Sequence, residues 1–159
     1  MRKSIKIFLA LFVSLIISSC TQKPIFEETI YFPKQGWNRF GTLEFEFEIK
    51  NPDKTYDIIL KTHLTEEFES TTLPLYYSID YPNGELRSSS QFIKVKNRDE
   101  TFVNPYSDGS YIYEIKLQEN KKFNEAGVYK YTLSHGLNKF DAAGIFDMNF
   151  KVLVHKEQK

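Results

Sequence analysis

Residues 42–50, TLEFEFEIK, alternate apolar and charged side chains without a break. Successive side chains of a β-strand point to opposite faces, so this period of two predicts a strand with one face in a core and one in water. The expected core residues of this strand include Phe45 and Phe47. The expected solvent-facing residues are Glu44, Glu46 and Glu48.

Residues 56–64 repeat the period of two, and the NPDKT sequence between the two segments contains the Pro and Asp typical of a turn. We therefore expect 42–50 and 56–64 to pair as a hairpin. A strong turn signal, PNG at 82–84, follows another alternating segment, because Asn and Gly tolerate positive φ. The remaining predicted strands are 73–81, 90–96, 110–118, 127–134 and 145–154.

No segment carries the pattern of an amphipathic helix of useful length. Residues 66–71 and 135–144 read as connections that contain at most one helical turn. Seven or eight strands separated by turn signals predict an all-β fold, an antiparallel β-sandwich built from two packed sheets. A closed β-barrel is the alternative that this pattern leaves open.

The first 19 residues follow a different pattern. Three basic residues occur within the first six, and an apolar run of 11 residues, 7–17, is interrupted only by Ser14. A helix needs roughly 20 apolar residues to span a bilayer, so the run is too short for a span. The order of a basic start and a short apolar run is that of a secretory signal peptide, predicted here as 1–19.

The sequence Ile17-Ser18-Ser19-Cys20 is similar to a bacterial lipobox, in which the Cys thiol receives a diacylglyceryl group and the peptide is cut before it. Cys20 is the only cysteine, and a lone cysteine in an exported chain needs an explanation. We therefore predict lipidation at Cys20, which would hold the protein to a membrane through its acyl chains. The alternatives are an ordinary signal peptide with a chance cysteine, and a short buried strand.

Removal of 1–19 would leave about 140 residues, the size of one ordinary domain. We expect residues 20–36 to form the lipidated Cys and a tether or edge strand, and 37–159 to form a single β-sandwich domain. The residue directly after Cys20 is Thr21. An Asp at that position would have suggested retention in the inner membrane, so its absence favours the outer membrane. The periplasmic face is the default location, with the cell surface left open.

The balance of acidic and basic residues does not indicate binding to nucleic acid. The chain has 21 basic and 21 acidic residues, and the predicted signal peptide would remove only basic ones. Binding to nucleic acid favours a basic patch instead, so no nucleic-acid partner is expected.

The candidate catalytic residues are scattered. His63, His135 and His155 lie in different predicted elements, and a zinc site needs three or four converging ligands. His63 is expected to be a strand residue that faces water. Turn or strand roles account for Asp53, Asp80 and Asp108, and the SDGS sequence reads as an ordinary turn rather than a Ca²⁺ site. We predict no catalytic residue, no cofactor, no metal and no small-molecule substrate.

Trp37 is the only tryptophan and precedes the first clear strand. It could offer a stacking platform for a sugar or close one end of the sandwich. Tryptophan is mostly buried in folded proteins, so we favour the second role, in which Trp37 is a buried plug at one end of the sandwich.

Six features occur in a fixed order along nearly the whole mature chain. They are the lipobox, Trp37, FEFEI, YDIILKTHL, TLPLYYSIDYPNGE and GVYKYTLSHGL…GIFDMNFKV. In this order the chain resembles the gliding-motility lipoprotein family of the GldH type, found in Bacteroidetes. Differences from the family pattern at His63, Thr72 and Asn138 mark it as a divergent member.

The resemblance implies a non-enzymatic envelope lipoprotein, a structural or adaptor component linked to gliding and its allied secretion machinery. It implies protein partners in the envelope and transfers only one site residue, Cys20. The alternatives are a surface carbohydrate-binding lipoprotein and, least favoured, an enzyme. A glycan binder should expose coplanar aromatic rings, whereas an adaptor should expose an edge strand or an apolar patch.

Overall fold

The computed structural model describes residues 23–34 and 36–156. The predicted signal peptide 1–19 and Cys20 lie outside the described residues. Within them the chain forms β-strands and no helix. The strands are β1 (Phe26–Tyr31), β2 (Trp37–Asn38), β3 (Leu43–Ile49), β4 (Thr55–Leu64), β5 (Thr72–Asp80), β6 (Leu86–Lys94), β7 (Tyr106–Ser107), β8 (Ser110–Lys122), β9 (Gly127–His135), β10 (Asp141–Ala142) and β11 (Ile145–Val154).

Two antiparallel sheets form the body of the molecule. One sheet has the order β1-β11-β4-β8-β7 and the other has the order β3-β9-β5-β6, while β2 and β10 pair as a small separate ribbon. The two large sheets pack face to face, as shown by the Tyr77 hydroxyl of β5, which donates to the Leu117 carbonyl of β8. Within residues 23–34 and 36–156 each outer strand of the two sheets has only one neighbouring strand, so the predicted sandwich is confirmed and the closed barrel is wrong.

The alternation along β3 has the predicted effect. Leu43, Phe45, Phe47 and Ile49 are buried, and the three glutamates between them are exposed. Strand β4 also buries every second side chain, from Tyr56 to Leu64. A period of two therefore identified the core face of both strands.

The predicted hairpin between residues 42–50 and 56–64 is wrong. Strand β3 pairs with β9 in one sheet, and β4 lies between β11 and β8 in the other. Residues 50–54 therefore cross from one sheet to the other. The reason is that two strands with one apolar face each can bury those faces by packing face to face as well as side by side.

The strands define two ends of the sandwich. We call the end where β1 begins, at Phe26, the N-terminal end, and the end where β1 stops, at Tyr31, the distal end. The connections 50–54, 81–85 and 123–126 lie at the N-terminal end, because they join strands that begin or stop beside the start of β1. The longer connections lie at the distal end.

The distal connections differ in part from expectation. Residues 66–71 form a loop, and 135–144 contain the short strand β10 instead of a helical turn. Asp108 and Gly109, in the SDGS sequence, have φ values of 51° and 86°. Two consecutive residues with positive φ are typical of a tight hairpin turn, which agrees with the predicted ordinary turn between β7 and β8.

Candidate binding surfaces

Trp37 closes the distal end of the core. Its side chain is buried, its ring stacks on Phe32 at a centroid distance of 5.3 Å, and its edge contacts the ring of His135. The indole Nε1 donates a 2.5 Å hydrogen bond to the Gly41 carbonyl. The predicted plug is confirmed, since a buried ring cannot serve as an exposed platform for a sugar.

His135 is part of the same plug. Its Nε2 lies 3.1 Å from the Trp37 carbonyl oxygen, and its Nδ1 accepts from the Leu137 amide at 3.3 Å. These contacts require the proton to be on Nε2, so that Nε2 donates and Nδ1 accepts. Burial lowers the pKa of His135, which keeps the ring neutral in the folded protein.

Exposed aromatic side chains gather at the distal end. Phe40 and Phe140 are 77% and 70% exposed and contact each other with ring centroids 5.9 Å apart. Tyr31 and Phe146 form a second exposed pair, with centroids 5.8 Å apart. Tyr106 is exposed beside the turn that leads into β8. Exposed apolar groups of this size mark interaction surfaces more often than chance positions do.

A cavity of about 570 Å³ opens among these distal residues. Its walls include Phe32, Tyr106 and Phe146, and the charged residues of its lining are Lys34, Glu66 and Glu67. None of these three takes part in an ion pair within residues 23–34 and 36–156. The cavity therefore combines an apolar wall with two carboxylates and one ammonium group.

The exposed aromatic pairs do not form flat platforms. The Phe40 and Phe140 rings are inclined at 59°, and the Tyr31 and Phe146 rings at 76°. A sugar ring stacks on a flat surface, so neither pair offers coplanar rings for this.

Sequence reasoning missed these exposed aromatic residues. Phe40 lies in NRFG and Phe140 in NKFD, two segments of turn formers and charged residues outside the alternating strands. A large aromatic residue in such a segment is not part of any predicted core face. The presence of Phe in these two loop segments was therefore the sequence signal that could have indicated exposed aromatic side chains.

His63 lies in a strand, on the face of β4 opposite the core, as expected, but its side chain is only 26% exposed. Its Nδ1 lies 2.7 Å from a carboxylate oxygen of Asp147 on the neighbouring strand β11. His155 contacts Asp57 in the same way, at 2.7 Å. Each histidine is thus held by a carboxylate across neighbouring strands, a relationship that spacing along the chain does not reveal.

The other candidate residues remain apart. Among the described residues, no group of three or more His, Cys, Asp or Glu side chains is arranged to hold a metal ion. Asp53 lies in the 50–54 connection, where its amide donates to the Asn51 side chain, and Asp80 ends β5 opposite Lys130. Nor does this part of the chain contain a helix that is long and apolar enough to cross a bilayer.

The fold defines an antiparallel β-sandwich protein with exposed aromatic residues at its distal end, where β1 stops. A family profile described as GldH lipoprotein matches residues 24–152. The chain is also 25% identical, over 96% of its length and 97% of the relative's, to the gliding motility lipoprotein GldH homolog of Christiangramia forsetii. The chain belongs to the GldH lipoprotein family, as the sequence resemblance predicted, and is a divergent member of it.

Family membership makes this a lipoprotein of the gliding-motility type, anchored by lipid in the cell envelope.

Proposed function

We propose that this protein is a non-enzymatic adaptor, anchored by a lipid on Cys20, that binds a protein partner through its distal end. The proposed location is the periplasmic face of the outer membrane, and the proposed partners belong to the gliding apparatus or its allied secretion machinery. The observation that carries the proposal is the gathering of exposed aromatic residues around an open cavity at the distal end.

The anchor would orient this surface. Five residues lie between Cys20 and the start of β1 at Phe26, and the six extended Cα–Cα steps from Cys20 to Phe26 reach about 20 Å at most. Strand β4 has 10 residues, and a strand of this length spans about 33 Å. A lipid on Cys20 would therefore keep the N-terminal end near the membrane and hold the distal end away from it, where a partner has access.

The cavity indicates the chemistry of the partner. Its apolar wall, formed by Phe32, Tyr106 and Phe146, suits an inserted apolar side chain. The two carboxylates of Glu66 and Glu67 outnumber the single ammonium group of Lys34 in the lining, which favours a Lys or Arg next to that side chain. The proposed ligand is thus a partner loop with an apolar residue beside a basic one.

The proposal of no turnover is consistent with the surroundings of the three histidines. His135 packs against Trp37 in the plug, and His63 and His155 each contact a carboxylate on a neighbouring strand. Each of these contacts is explained by the packing of the sandwich. We therefore assign the protein a binding surface and no catalytic site. The proposed role in the cell envelope rests on its membership of the GldH lipoprotein family.

Site-specific photocross-linking in living cells tests the proposal. The full chain carries a benzoylphenylalanine in place of Phe140 at the distal end or of Val128 at the N-terminal end, both exposed. We expect a cross-linked protein partner from position 140 and little from position 128. A cross-linker in place of Tyr106 should also capture the partner. This product should be lost when the double variant Phe40→Ser/Phe140→Ser is introduced into the same chain.

The matched control is the double variant Ile25→Ser/Val128→Ser, which removes two exposed apolar side chains from the N-terminal end. It should keep the product. Equal cross-linking from positions 140 and 128, or no effect of the distal double variant, would contradict a distal binding surface.

A further inference from the structure

Strand β6 forms an open edge of the molecule. Its nine residues pair with β5 along the full length, from Leu86 opposite Asp80 to Lys94 opposite Thr72. Within residues 23–34 and 36–156, β6 has no second neighbouring strand. No further hydrogen bond reaches the main chain of 86–94 from this part of the molecule. Alternate residues of β6 therefore direct their N–H and C=O groups to the open side.

The other sheet edges carry features that discourage pairing. The exposed face of β3 is a row of three glutamates, β1 contains Glu27 and Glu28, and β7 has only two residues. Charged or very short edges resist the addition of another strand. In contrast, the centre of β6, 88–92, reads SSSQF and contains no charge, Pro or Gly.

Both faces of β6 are accessible. Ser88 and Phe92 on the outer face are exposed, and so are Arg87 and Ser89 on the face that continues the core side of the sheet. The first half of β6 thus extends beyond the part of the sandwich that the opposite sheet covers, whereas Gln91 and Ile93 on the same face are half-buried. An added strand could approach the open edge without displacing any described element.

We infer that β6 accepts an extended segment of a partner protein as an additional strand of the four-stranded sheet. Main-chain hydrogen bonds to the open edge would supply the affinity, and the exposed side chains of β6 would supply the selectivity. This inference rests on the proposed adaptor function and adds a second contact surface to the distal end.

A second copy of this chain does not fit the edge. Two identical strands pair symmetrically only when antiparallel, which inverts one copy. The N-terminal end of that copy would then lie farther from the membrane by the length of β6, about 26 Å. The chain from Cys20 to the start of β1, with five residues between them, reaches only about 20 Å. Two copies anchored upright in one membrane therefore cannot pair through β6.

The ends of β6 indicate the charge of the partner segment. Arg87 already pairs with Glu85, with Nε and Oε1 2.6 Å apart. Lys94 donates to the Asn97 side chain and lies close enough to Asp99 to help lower the pKa of that carboxyl. Both basic residues of β6 thus already have an acidic neighbour, and the centre of the strand is uncharged, so the partner segment that fits this edge is itself uncharged along its centre.

Proline substitutions in full-length protein test this inference. Of the neighbours Ser89 and Ser90, one directs its N–H to β5 and the other to the open edge. Proline at the outward position removes a free donor without breaking a bond to β5, so that variant keeps the unfolding temperature of the parent. The other proline variant lowers it. Thermal unfolding thus identifies the outward position directly.

The readout is a cross-link in cells from benzoylphenylalanine in place of the exposed Phe92. We expect a product with a different protein, reduced about tenfold by the outward proline. The alanine variants Ser89→Ala and Ser90→Ala should leave it unchanged, because the main chain makes the contact.

Three results would overturn the inference: no product from position 92, a product with the mass of two copies of this chain, or a product that the outward proline leaves unchanged. Cross-links from position 140 separate this inference from the proposed function. If position 140 yields a partner and position 92 does not, only the role of β6 fails. If neither position yields one, the adaptor proposal fails as well.

Discussion

Phe45 of β3 and Phe150 of β11 stack face to face across the two sheets, with ring centroids 4.5 Å apart and planes 6° from parallel. Both side chains are fully buried. Phe47 and Tyr131 also contact the Phe150 ring. The contact between the two sheets is therefore an aromatic cluster, in which every ring touches residues distant in sequence.

This cluster predicts a large difference between two neighbouring positions of β3. Phe45→Ala removes a fully buried ring and should lower the free energy of unfolding by about 3–5 kcal/mol. Glu46→Ala changes an exposed side chain and should alter it by no more than about 0.5 kcal/mol. Denaturant unfolding of a chain that begins at Thr21 measures both. Similar midpoints for the two variants would contradict the observed burial.

The plug at the distal end predicts a graded loss of stability. Trp37→Ala removes a buried indole from its contacts with Phe32 and His135, and should cost about 3–5 kcal/mol. Trp37→Phe keeps an aromatic ring but loses the hydrogen bond to the Gly41 carbonyl, so its cost should be smaller. Thermal unfolding provides the ranking. A stable Trp37→Ala protein would show that the plug is dispensable.

The buried His135 predicts a pH dependence of stability. Burial and the nearby Arg39 lower the pKa of its ring below the ordinary 6.5, while the Trp37 carbonyl and Asp141 oppose this in part. As the pH falls below about 6.5, the unfolded chain takes up a proton before the folded one does. The contribution of neutral His135 is therefore complete above that pH and is lost as the pH falls toward the folded pKa.

Unfolding of wild type and His135→Gln between pH 7.5 and pH 5 isolates this contribution. The free energy of unfolding of the wild type should fall more steeply, by at most about 1.4 kcal/mol per pH unit for one proton. Equal slopes for the two proteins would mean that His135 does not titrate as its burial indicates.

The lipobox predicts that Cys20→Ser blocks lipidation. Without the thiol no diacylglyceryl group can be attached, and the precursor should remain uncut. Cells supplied with a clickable palmitate analogue should label the wild type and not the variant. Equal labelling of the two would contradict Cys20 as the anchor. The variant Ser19→Ala keeps a small residue before the cysteine and should be labelled normally.

The core faces of the strands could be predicted from the sequence because they depend on local geometry. Side chains of a strand alternate between two faces, so the FEFEI pattern of β3 was sufficient to place Phe45 and Phe47 inside. The hairpin of β5 and β6 is also local, since the PNG turn determines that neighbouring strands pair. The family could be recognised from the order of such features along the chain.

Strand pairing between distant segments was decided only by the tertiary structure. Strand β3 pairs with β9 instead of the adjacent β4, and His63 meets Asp147 on β11. Main-chain N–H and C=O groups are the same in every residue except proline, so they do not encode which strand lies beside which. The choice of neighbour comes from the joint packing of all apolar faces.

The binding surfaces depend on the same long-range packing. Phe40 and Phe140 lie 100 positions apart in the sequence and meet at the distal end because β2 and β10 pair there. Strand β6 is an edge only because no other strand packs beside it among the described residues. The sequence by itself determined which side chains are apolar and which face of each strand they occupy. Tertiary packing alone decided which of them remain exposed together, since exposure depends on every other element that covers the sheet.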